Sequence, residues 1–274
     1  MFDPGSYAWP TPKRLVLSLL SSPDLSEISA RECTQWGALF AIDPPTMRVA
    51  LGRLVKSGFL RSVVRGRYAI GERGKVLSQT ARRWVLAEER VGPWDGRWLL
   101  AHIAHLGRRD ITALKARERA LLLVGFAALH PGLWCRPANY LELPSQTAAR
   151  LGELGLEKSA ILLRGDVFFG DALPLAADAG TAAELWSREV LETRYATLTD
   201  AMQDSMRRGS QQPADSLARE TFLLGEAVIR QVNSDPLLPD SMIDVHARRK
   251  MHQTMVAYDA FGRDAWQRFQ TQSM

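Results

Sequence analysis

Apolar residues near the start of the chain recur at helical spacing and predict two short helices. The first is predicted over 11–20, where leucine and valine recur every three or four residues. The second is predicted over 29–39, because Ser29 and Glu32 have the spacing of a capping box. Only residues 40–42 separate it from a third helix, a connection short enough for a tight helix–turn–helix.

The third helix has one apolar side and one cationic side. It is predicted to start after Asp43 as N-cap, with prolines in its first turn, and to end before Gly58. Its apolar residues share one face that must be buried: Met47, Ala50, Leu51 and Leu54. The DNA-reading candidates lie on the opposite side or its flank: Thr46, Arg48, Val49, Arg53 and Lys56. A short exposed cationic face on a buried helix suits a reader of the major groove.

A basic hairpin is predicted after this helix, over 59–70. Two runs of β-branched and aromatic residues flank a turn at Arg65 and Gly66. The arginines near its tip complete the set of DNA-binding candidates: Arg61, Arg65 and Arg67. From Asp43 to Ile70 there are six Lys or Arg and one acid, a net of +5 that equals the formal charge of the whole chain. This order of elements indicates a winged helix-turn-helix, predicted with a connecting helix over residues 1–90.

Residues 91–169 are predicted to form a ferredoxin-like domain. A turn predicted at 71–74 and a connecting helix predicted over 75–90 precede it. Within the domain the predicted elements are a buried strand at 97–103, a helix at 110–124, a hairpin within 129–136, a helix at 145–154 capped by Ser145, and a strand at 159–168. The order β-α-β-β-α-β is the ferredoxin-like order. Its two helices would cover one face of the sheet and leave the other face free to pair.

Residues 170–274 are predicted to form a helical domain. A Pro/Ala/Asp/Gly linker at 170–180 precedes helices predicted over 182–200, 216–232 and 245–269, with a polar loop at 205–215 and a rigid turn at 235–240. The last helix has a broad apolar face: Met251, Met255, Tyr258, Ala265 and Phe269. The predicted fold class is therefore an α+β multidomain protein.

Composition favours a cytosolic protein with a polyanionic partner. Of 274 residues, 46% are hydrophobic and 24% charged, as in ordinary globular proteins, and the pI is near 9.5. Cys33 and Cys135 are isolated and predict no disulfide. The first residues lack the pattern of a secretory signal. No apolar run approaches the roughly 18–20 residues that span a bilayer, so we expect no membrane partner.

Catalytic and metal sites are not expected. Asp95 and Asp110 flank the first strand of the central domain without a nearby acid to complete a two-carboxylate site. His102 and His105 would point to opposite faces if both lay on a strand. Phosphate-binding and nucleophile motifs are absent from the sequence. We expect no enzyme and no cofactor, and a metal-dependent nuclease in the central domain is the alternative.

The C-terminal helices hold the candidates for a ligand site. Their Met and Trp residues could line a pocket or simply form a core, and their cations could meet an acid group or simply lie at the surface. The effector-binding candidates are Trp186, Arg194, Arg219 and Arg230.

Seven stretches of the sequence carry a likeness to a known family: residues 47–60, 66–70, 73–74, 94–98, 125–126, 132–137 and 235–239. On these stretches nearly the whole chain, from about residue 11 to 260, resembles the PaaX family of bacterial repressors. The resemblance implies repression of an aromatic-acid degradation operon. It also implies a DNA-binding winged domain, a middle domain like the CRISPR-adaptation nuclease fold, and a helical domain for dimerisation and effector response. Carried over to this chain, the readout helix is 44–57 and the wing is 59–70.

The expected function is therefore that of a dimeric repressor released from DNA by a small molecule. The expected partners are double-stranded operator DNA with an inverted repeat, a second copy of the chain, and an aromatic acyl-CoA such as phenylacetyl-CoA, which the resemblance implies. A DNA-bound regulator without a ligand is a further alternative.

Overall fold

A computed structural model describes residues 9–22, 25–165 and 185–272 of the chain. Within them the protein is a mixed α and β structure with two antiparallel sheets. Its helices, in chain order, are α1 (Pro12–Leu20), α2 (Ala30–Ala38), α3 (Pro44–Lys56), α4 (Glu72–Ala81), α5 (Ile111–Leu123), α6 (Pro144–Glu153), α7 (Arg188–Arg208), α8 (Ala214–Ser234) and α9 (Val245–Gln272). Its strands are β1 (Glu27–Ser29), β2 (Leu60–Val64), β3 (Arg67–Ile70), β4 (Trp98–His102), β5 (Ala127–His130), β6 (Leu133–Pro137) and β7 (Ile161–Gly165). None of the helices described here combines the length and hydrophobicity needed to cross a membrane.

Contacts divide the chain into two compact units. Unit 1 comprises residues 1–85, 200–229 and 254–274, and unit 2 comprises residues 86–199 and 230–253. Helices α7, α8 and α9 therefore each contribute residues to both units. The sequence predicts three domains instead, at 1–90, 91–169 and 170–274, and assigns these helices to the third. These domain limits stay a prediction.

Helices α2 and α3 begin where their caps predict. Ser29 and Glu32 form the predicted capping box: the Ser29 amide donates to Glu32 at 2.6 Å and the Glu32 amide donates to Ser29 Oγ at 3.1 Å. Asp43 caps α3 by accepting the Thr46 amide at 2.8 Å. These bonds satisfy amides that have no partner inside the helix, so short helices start at fixed residues.

Unit 1 contains a three-stranded sheet in the order β1-β3-β2. The hairpin of β2 and β3 is confirmed, with its turn at Arg65 and Gly66. Strand β1 was not predicted, because three residues are too few for an alternating pattern. It pairs antiparallel with β3 and places Ser29 opposite Arg67.

The core of unit 1 joins the N-terminal helices to segments of α8 and α9. Trp36 of α2 lies edge-on to Trp266 with ring centroids 6.1 Å apart, and Phe40 lies 5.2 Å from Phe222. Aromatic pairs of this geometry add to the free energy gained from burial alone. The sequence pattern does not predict these pairs, because their members lie far apart along the chain.

A polar contact reinforces the same packing. Glu226 of α8 accepts hydrogen bonds from Arg14 Nε at 2.5 Å and from Ser18 Oγ at 2.6 Å, both on α1. All three side chains are partly buried, so this charge-assisted network is better shielded from solvent than a surface ion pair.

Helix α4 begins at Glu72, so the turn predicted at 71–74 is wrong. A Cβ added to Gly74 would lie 2.3 Å from the Phe59 carbonyl oxygen, and one on Gly71 would lie 2.5 Å from the Gly58 carbonyl oxygen. These glycines therefore allow close packing against the segment after α3. The predicted helix to residue 90 continues as two 3-10 turns after Ala81.

The polar stretch 205–215 is not the predicted loop. Helix α7 extends into it as far as Arg208, a 3-10 turn follows at Gly209–Gln211, and α8 begins at Ala214. Its polar side chains have partners in other helices: Ser205 Oγ lies 2.8 Å from the Tyr258 hydroxyl, and Arg208 donates to Glu220 at 2.9 Å. Polar composition predicted a loop because these tertiary partners are not visible in the local sequence.

Unit 2 contains a four-stranded antiparallel sheet in the order β5-β6-β4-β7. The predicted element order β-α-β-β-α-β is confirmed. Leu121 of α5 and Leu151 of α6 are fully buried against Ala101 and Trp134 of the sheet. Helix α6 begins at Pro144 with Leu143 at its N-cap position, so the cap predicted at Ser145 is wrong.

The opposite face of this sheet is not free at its centre. Trp98 and Leu100 of β4 are buried, and Trp186 stacks on Trp98 with ring centroids 6.3 Å apart. Ile161 and Leu163 on the edge strand β7 remain 46% and 52% exposed. The prediction of a face free to pair is therefore wrong for β4 and fits only this edge.

The predicted turn after α8 is a buried loop in unit 2. Residues 235–239 are all buried. Arg136, itself buried, donates to the carbonyl oxygens of Val124 and, at 3.5 Å, of Pro236. Asn139 donates to the Leu237 carbonyl at 2.7 Å. Segments that carry the family resemblance, around residues 125, 136 and 236, thus meet in one place.

Burial also explains the two cysteines. Cys33 and Cys135 are free and buried. Removal from solvent raises the pKa of each thiol to about 12. Both therefore stay protonated at neutral pH and pack as small apolar groups.

Candidate nucleic-acid interface

Helix α3 presents the cationic face that its sequence predicts. Met47, Leu51 and Leu54 are at most 3% exposed, so the helix cannot rotate without exposing its apolar side. The residues on the other side are exposed, with Val49 at 54%. This group comprises Thr46, Arg48, Val49, Arg53 and Lys56, and we call it the α3 face.

The end of α3 is fixed by its backbone. Gly58 has a φ of 75°, the left-handed conformation that glycine adopts at helix ends. The Phe59 amide donates to the Leu54 carbonyl at 3.0 Å and the Gly58 amide donates to the Val55 carbonyl at 3.0 Å. These two bonds form a Schellman motif, and they set the direction in which the hairpin leaves the helix.

Thr46 differs from the other members of the α3 face. Its hydroxyl donates to Asp43 Oδ2 at 2.7 Å, and its amide donates to Oδ1 of the same carboxylate. These bonds hold the pKa of Asp43 below its usual value. Thr46 therefore supports the start of the helix and keeps only its acceptor lone pairs and methyl group for an external partner.

The hairpin is attached to the start of α2 through its turn. Gly66 has a φ of 78°, and its carbonyl accepts the Ala30 amide at 2.9 Å. Together with the pairing of β1 and β3, this bond fixes the turn beside the N-terminus of α2. Arg61 and Arg65 are exposed, and so are Val63 and Val64 between them.

The cations of this surface have few acidic partners. Arg67 lies 4.0 Å from Glu27. The pair is weak, because the distance is long and the Arg67 side chain is 62% exposed. Arg61 is near enough to Glu72 to help lower the pKa of that carboxylate. The part of the chain that the structure describes supplies no ion-pair partner for the others: Arg48, Arg53, Lys56 and Arg65. Uncompensated positive charge on rigid elements is the electrostatic arrangement that a phosphate backbone needs.

Two further cations adjoin this surface and were not among the predicted residues. Arg31 is exposed in the first turn of α2, next to Ala30, whose amide bonds the hairpin turn. Lys13 of α1 lies 4.0 Å from the centre of the Phe59 ring. Arg31 is related to the hairpin by the pairing of β1 with β3 and by the bond from the Ala30 amide to Gly66, so no local pattern could have selected it.

Comparison with known proteins shows a likeness to a solved structure. No family model matches the chain, and no curated protein matches it. The chain is similar to a solved structure, the uncharacterized protein Rv0674 from Mycobacterium tuberculosis. The two are 27% identical with a TM-score of 0.58, over 94% of this chain and 99% of that one. The likeness therefore spans nearly the whole length of both proteins.

The structure separates the four effector-binding candidates. Trp186 packs on Trp98. Arg194 donates to Gln231 at 3.0 Å, and Gln231 directly follows Arg230 in the chain. Arg219 belongs to unit 1, whereas the other three belong to unit 2. None of the four lines either of two described cavities of about 470 and 410 Å³.

The larger cavity lies in unit 2 between α5 and the hairpin of β5 and β6. Its floor is apolar and includes Ile103, Leu114 and Trp134. Two arginines line it. Arg117 is already bound to Glu157 at 3.0 Å and to the Gly107 carbonyl at 3.0 Å, whereas Arg108 is exposed.

The carboxylates considered for a nuclease have structural partners. Asp95 binds Arg97 at 2.5 Å and Arg164 at 3.1 Å, and the bond from Arg97 is the main reason that the pKa of Asp95 is lowered. Asp110 caps α5 by accepting the Thr112 amide at 2.9 Å. Among the described residues, no three His, Cys, Asp or Glu side chains group as a metal site would require.

The expectation that His102 and His105 point apart is wrong. Their rings stack with centroids 5.3 Å apart. Strand β4 ends at His102 and the chain enters a 3-10 turn at Ala104–Leu106, so the alternation of a strand no longer applies. His105 Nε2 lies 2.8 Å from the Ser159 carbonyl oxygen, which occupies one ring nitrogen.

Proposed function

We propose that this protein is a sequence-specific DNA-binding transcriptional repressor of the PaaX type. The main support is the α3 face, which presents exposed cations without acidic partners on a helix whose opposite side is buried in the core. In this proposal α1 to α3 and β1 to β3 form a winged helix-turn-helix. The four-stranded sheet with α5 and α6 forms a ferredoxin-like domain, which the strand order β5-β6-β4-β7 supports.

Phosphate neutralisation supplies most of the affinity. Lysines and arginines that bind phosphates displace condensed counterions, so binding weakens steeply as salt rises. Arg61, Arg65 and Arg67 of the hairpin act on phosphates or in the minor groove, beside the groove that α3 enters.

Base contacts supply the sequence preference. Arg48 and Arg53 project from the α3 face and can bind guanine through two hydrogen bonds. Val49, exposed between them, can contact a thymine methyl group. A two-fold dimer would read two half-sites of an inverted repeat, separated by whole turns of the duplex.

An effector releases the DNA. In the proposal it is an aromatic acyl-CoA such as phenylacetyl-CoA, the ligand that the family resemblance implies. The 470 Å³ cavity in unit 2 has the size and apolar floor of a small-molecule site, and the exposed Arg108 offers a cation for an acidic group. An effector shifts the equilibrium only by the difference in its affinity for the two states of the protein.

Selection from a randomised pool of duplexes tests the proposal. The protein should enrich a motif with two inverted half-sites, and adding phenylacetyl-CoA should release the enriched duplex. Failure to enrich any sequence at low ionic strength would contradict the proposal. Incubating the enriched duplex with Mg²⁺ tests the competing nuclease function, since that function requires strand cleavage.

A further inference from the structure

Most glycines around the α3 face are explained by their backbone conformation or by close packing. Among the described residues, neither reason explains Gly52. Gly58 and Gly66 have positive φ angles, and Gly71 and Gly74 press against carbonyl oxygens. Gly52, in the middle of α3, has no positive φ. Apart from its chain neighbours and the backbone of its own helix, no heavy atom of the described residues lies within 4 Å of the place where its Cβ would stand.

A glycine at such a position lowers the stability of the helix. In an exposed helix interior it costs about 1 kcal/mol relative to alanine, because the unfolded chain loses more conformational freedom on folding. No close packing in the described structure offsets this cost at Gly52. A missing side chain at this position is an advantage where something approaches α3 from outside, and the neighbours of Gly52 show what that would be.

Gly52 lies inside the α3 face. At 100° per residue it falls on the arc between Arg48 and Arg53, beside Val49 and Lys56. The neighbours on this arc are all exposed. The open space in front of Gly52 is thus bordered by the side chains that are proposed to reach base edges and phosphates.

We infer that Gly52 is the point where the backbone of α3 comes closest to the DNA duplex, and that the missing side chain sets the depth of the helix in the major groove. This inference rests on the proposed function. Hydrogen bonds need donor–acceptor distances of about 2.7–3.2 Å, so a methyl group at the closest point would move Arg48 and Arg53 out of range of the bases. Non-specific phosphate contacts tolerate such a displacement better, because they depend on charge more than on geometry.

The test compares Gly52→Ala with a matched control, Gly152→Ala. Gly152 is an exposed glycine in α6, and it too has no atom within 4 Å of its Cβ position. Both variants should melt at or above the wild-type temperature. Only Gly52→Ala should weaken binding to the duplex enriched by the wild-type protein. The loss should be about tenfold or more, as for one base contact, with affinity for random-sequence duplex retained.

The outcomes separate the inference from the function on which it rests. Equal affinity of Gly52→Ala and wild type for the enriched duplex would overturn the inference and leave the proposed function standing. A loss of affinity shared by Gly152→Ala, or a lower melting temperature of Gly52→Ala, would also overturn it. If the wild-type protein binds no duplex, the proposed function itself fails.

Discussion

Individual side chains of the α3 face carry the functional argument, and periodicity predicts most of them. The burial of Met47, Leu51 and Leu54 follows from helical spacing, so the exposure of Arg48 and Arg53 follows as well. The bond from the Thr46 hydroxyl to Asp43 could not be predicted, because a threonine near a cap can point either way. Arg31 was missed because its place beside the hairpin depends on a tertiary pairing.

Replacing Arg53 should change specificity as well as affinity. If Arg53 binds a base edge, Arg53→Ala should cost about 1–3 kcal/mol of binding free energy on the preferred duplex. The loss should be much smaller on duplexes altered at the contacted base pair. Competition titrations on a set of single-base variants measure this. An equal loss on every sequence would show that Arg53 does not read bases.

Replacing Arg65 should act differently, since it lies at the hairpin turn. Arg65→Ala should weaken binding to all duplexes alike and reduce the slope of log K against log salt by about 1. Titrations at several salt concentrations give that slope. A slope identical to that of the wild-type protein would refute a phosphate contact.

At the scale of elements, caps predicted where α2 and α3 begin, whereas the cap predicted for α6 at Ser145 was wrong and boundaries set by distant partners were not predictable. Ser29 and Asp43, recognised as N-caps in the sequence, predicted where α2 and α3 begin. The extension of α7 into a polar stretch, as far as Arg208, depends on contacts such as Ser205 with Tyr258, which local composition does not reveal. The same holds for α4, whose glycines serve close packing.

The attachment of α9 in unit 2 depends on a buried ion pair. Arg248 donates to Glu88 at 2.7 and 3.2 Å, and its guanidinium also binds the Leu238 carbonyl at 2.6 Å. Its side chain is 2% exposed, so removing the partner leaves a buried charge. Glu88→Ala should therefore lower the free energy of unfolding by about 3–5 kcal/mol in urea denaturation. A loss no larger than that of Glu72→Ala, an exposed ion pair, would contradict this account.

Asp235, in the buried loop after α8, should make the stability of the protein depend on pH. Burial raises the pKa of Asp235, and this outweighs the opposing influence of the Tyr195 hydroxyl and the Arg248 guanidinium. A raised pKa means that the folded protein holds this proton more tightly than the unfolded chain. The contribution of Asp235 to stability is thus complete below the unfolded value of 3.8 and is lost as pH rises through the folded value.

Asp235→Asn removes that titration and keeps an oxygen for the Leu237 amide, which donates to Asp235 at 2.8 Å. The melting temperature of the variant, relative to wild type, should therefore increase as pH is raised from 3.8. Thermal melts over a pH series check this. A difference that shrinks with rising pH would show that the carboxylate is favoured in the folded state.

At the scale of the whole molecule, the order of elements was predictable and the division into units was not. The β-α-β-β-α-β order follows from local patterns of apolar residues. The assignment of segments of α8 and α9 to the unit that contains the α3 face depends on contacts such as Phe40 with Phe222 and Trp36 with Trp266. Local periodicity marks such residues as apolar, but it does not say which of them meet.

Ligand control belongs to this scale, because release of DNA links two sites. Phenylacetyl-CoA should raise the melting temperature of the free protein and lower its DNA affinity, and by linkage DNA should weaken phenylacetyl-CoA binding by the same factor. Arg108→Ala should abolish the thermal shift if the cavity in unit 2 is the site. Retention of the shift in Arg108→Ala, together with its loss in Arg194→Ala, would place the ligand at the C-terminal helices instead.

The salt dependence of binding to the enriched duplex tests the central claim most directly. Log K should fall linearly with log salt for the wild-type protein. The slope should flatten when Arg53 and Lys56 of the α3 face are both replaced by alanine, because fewer counterions are displaced. As a control, replacing both Arg207 and Arg268 by alanine should leave the slope unchanged; these are exposed cations of α7 and α9 outside the α3 face. A wild-type slope near zero, or equal slopes for the two paired variants, would contradict the claim that this face binds DNA.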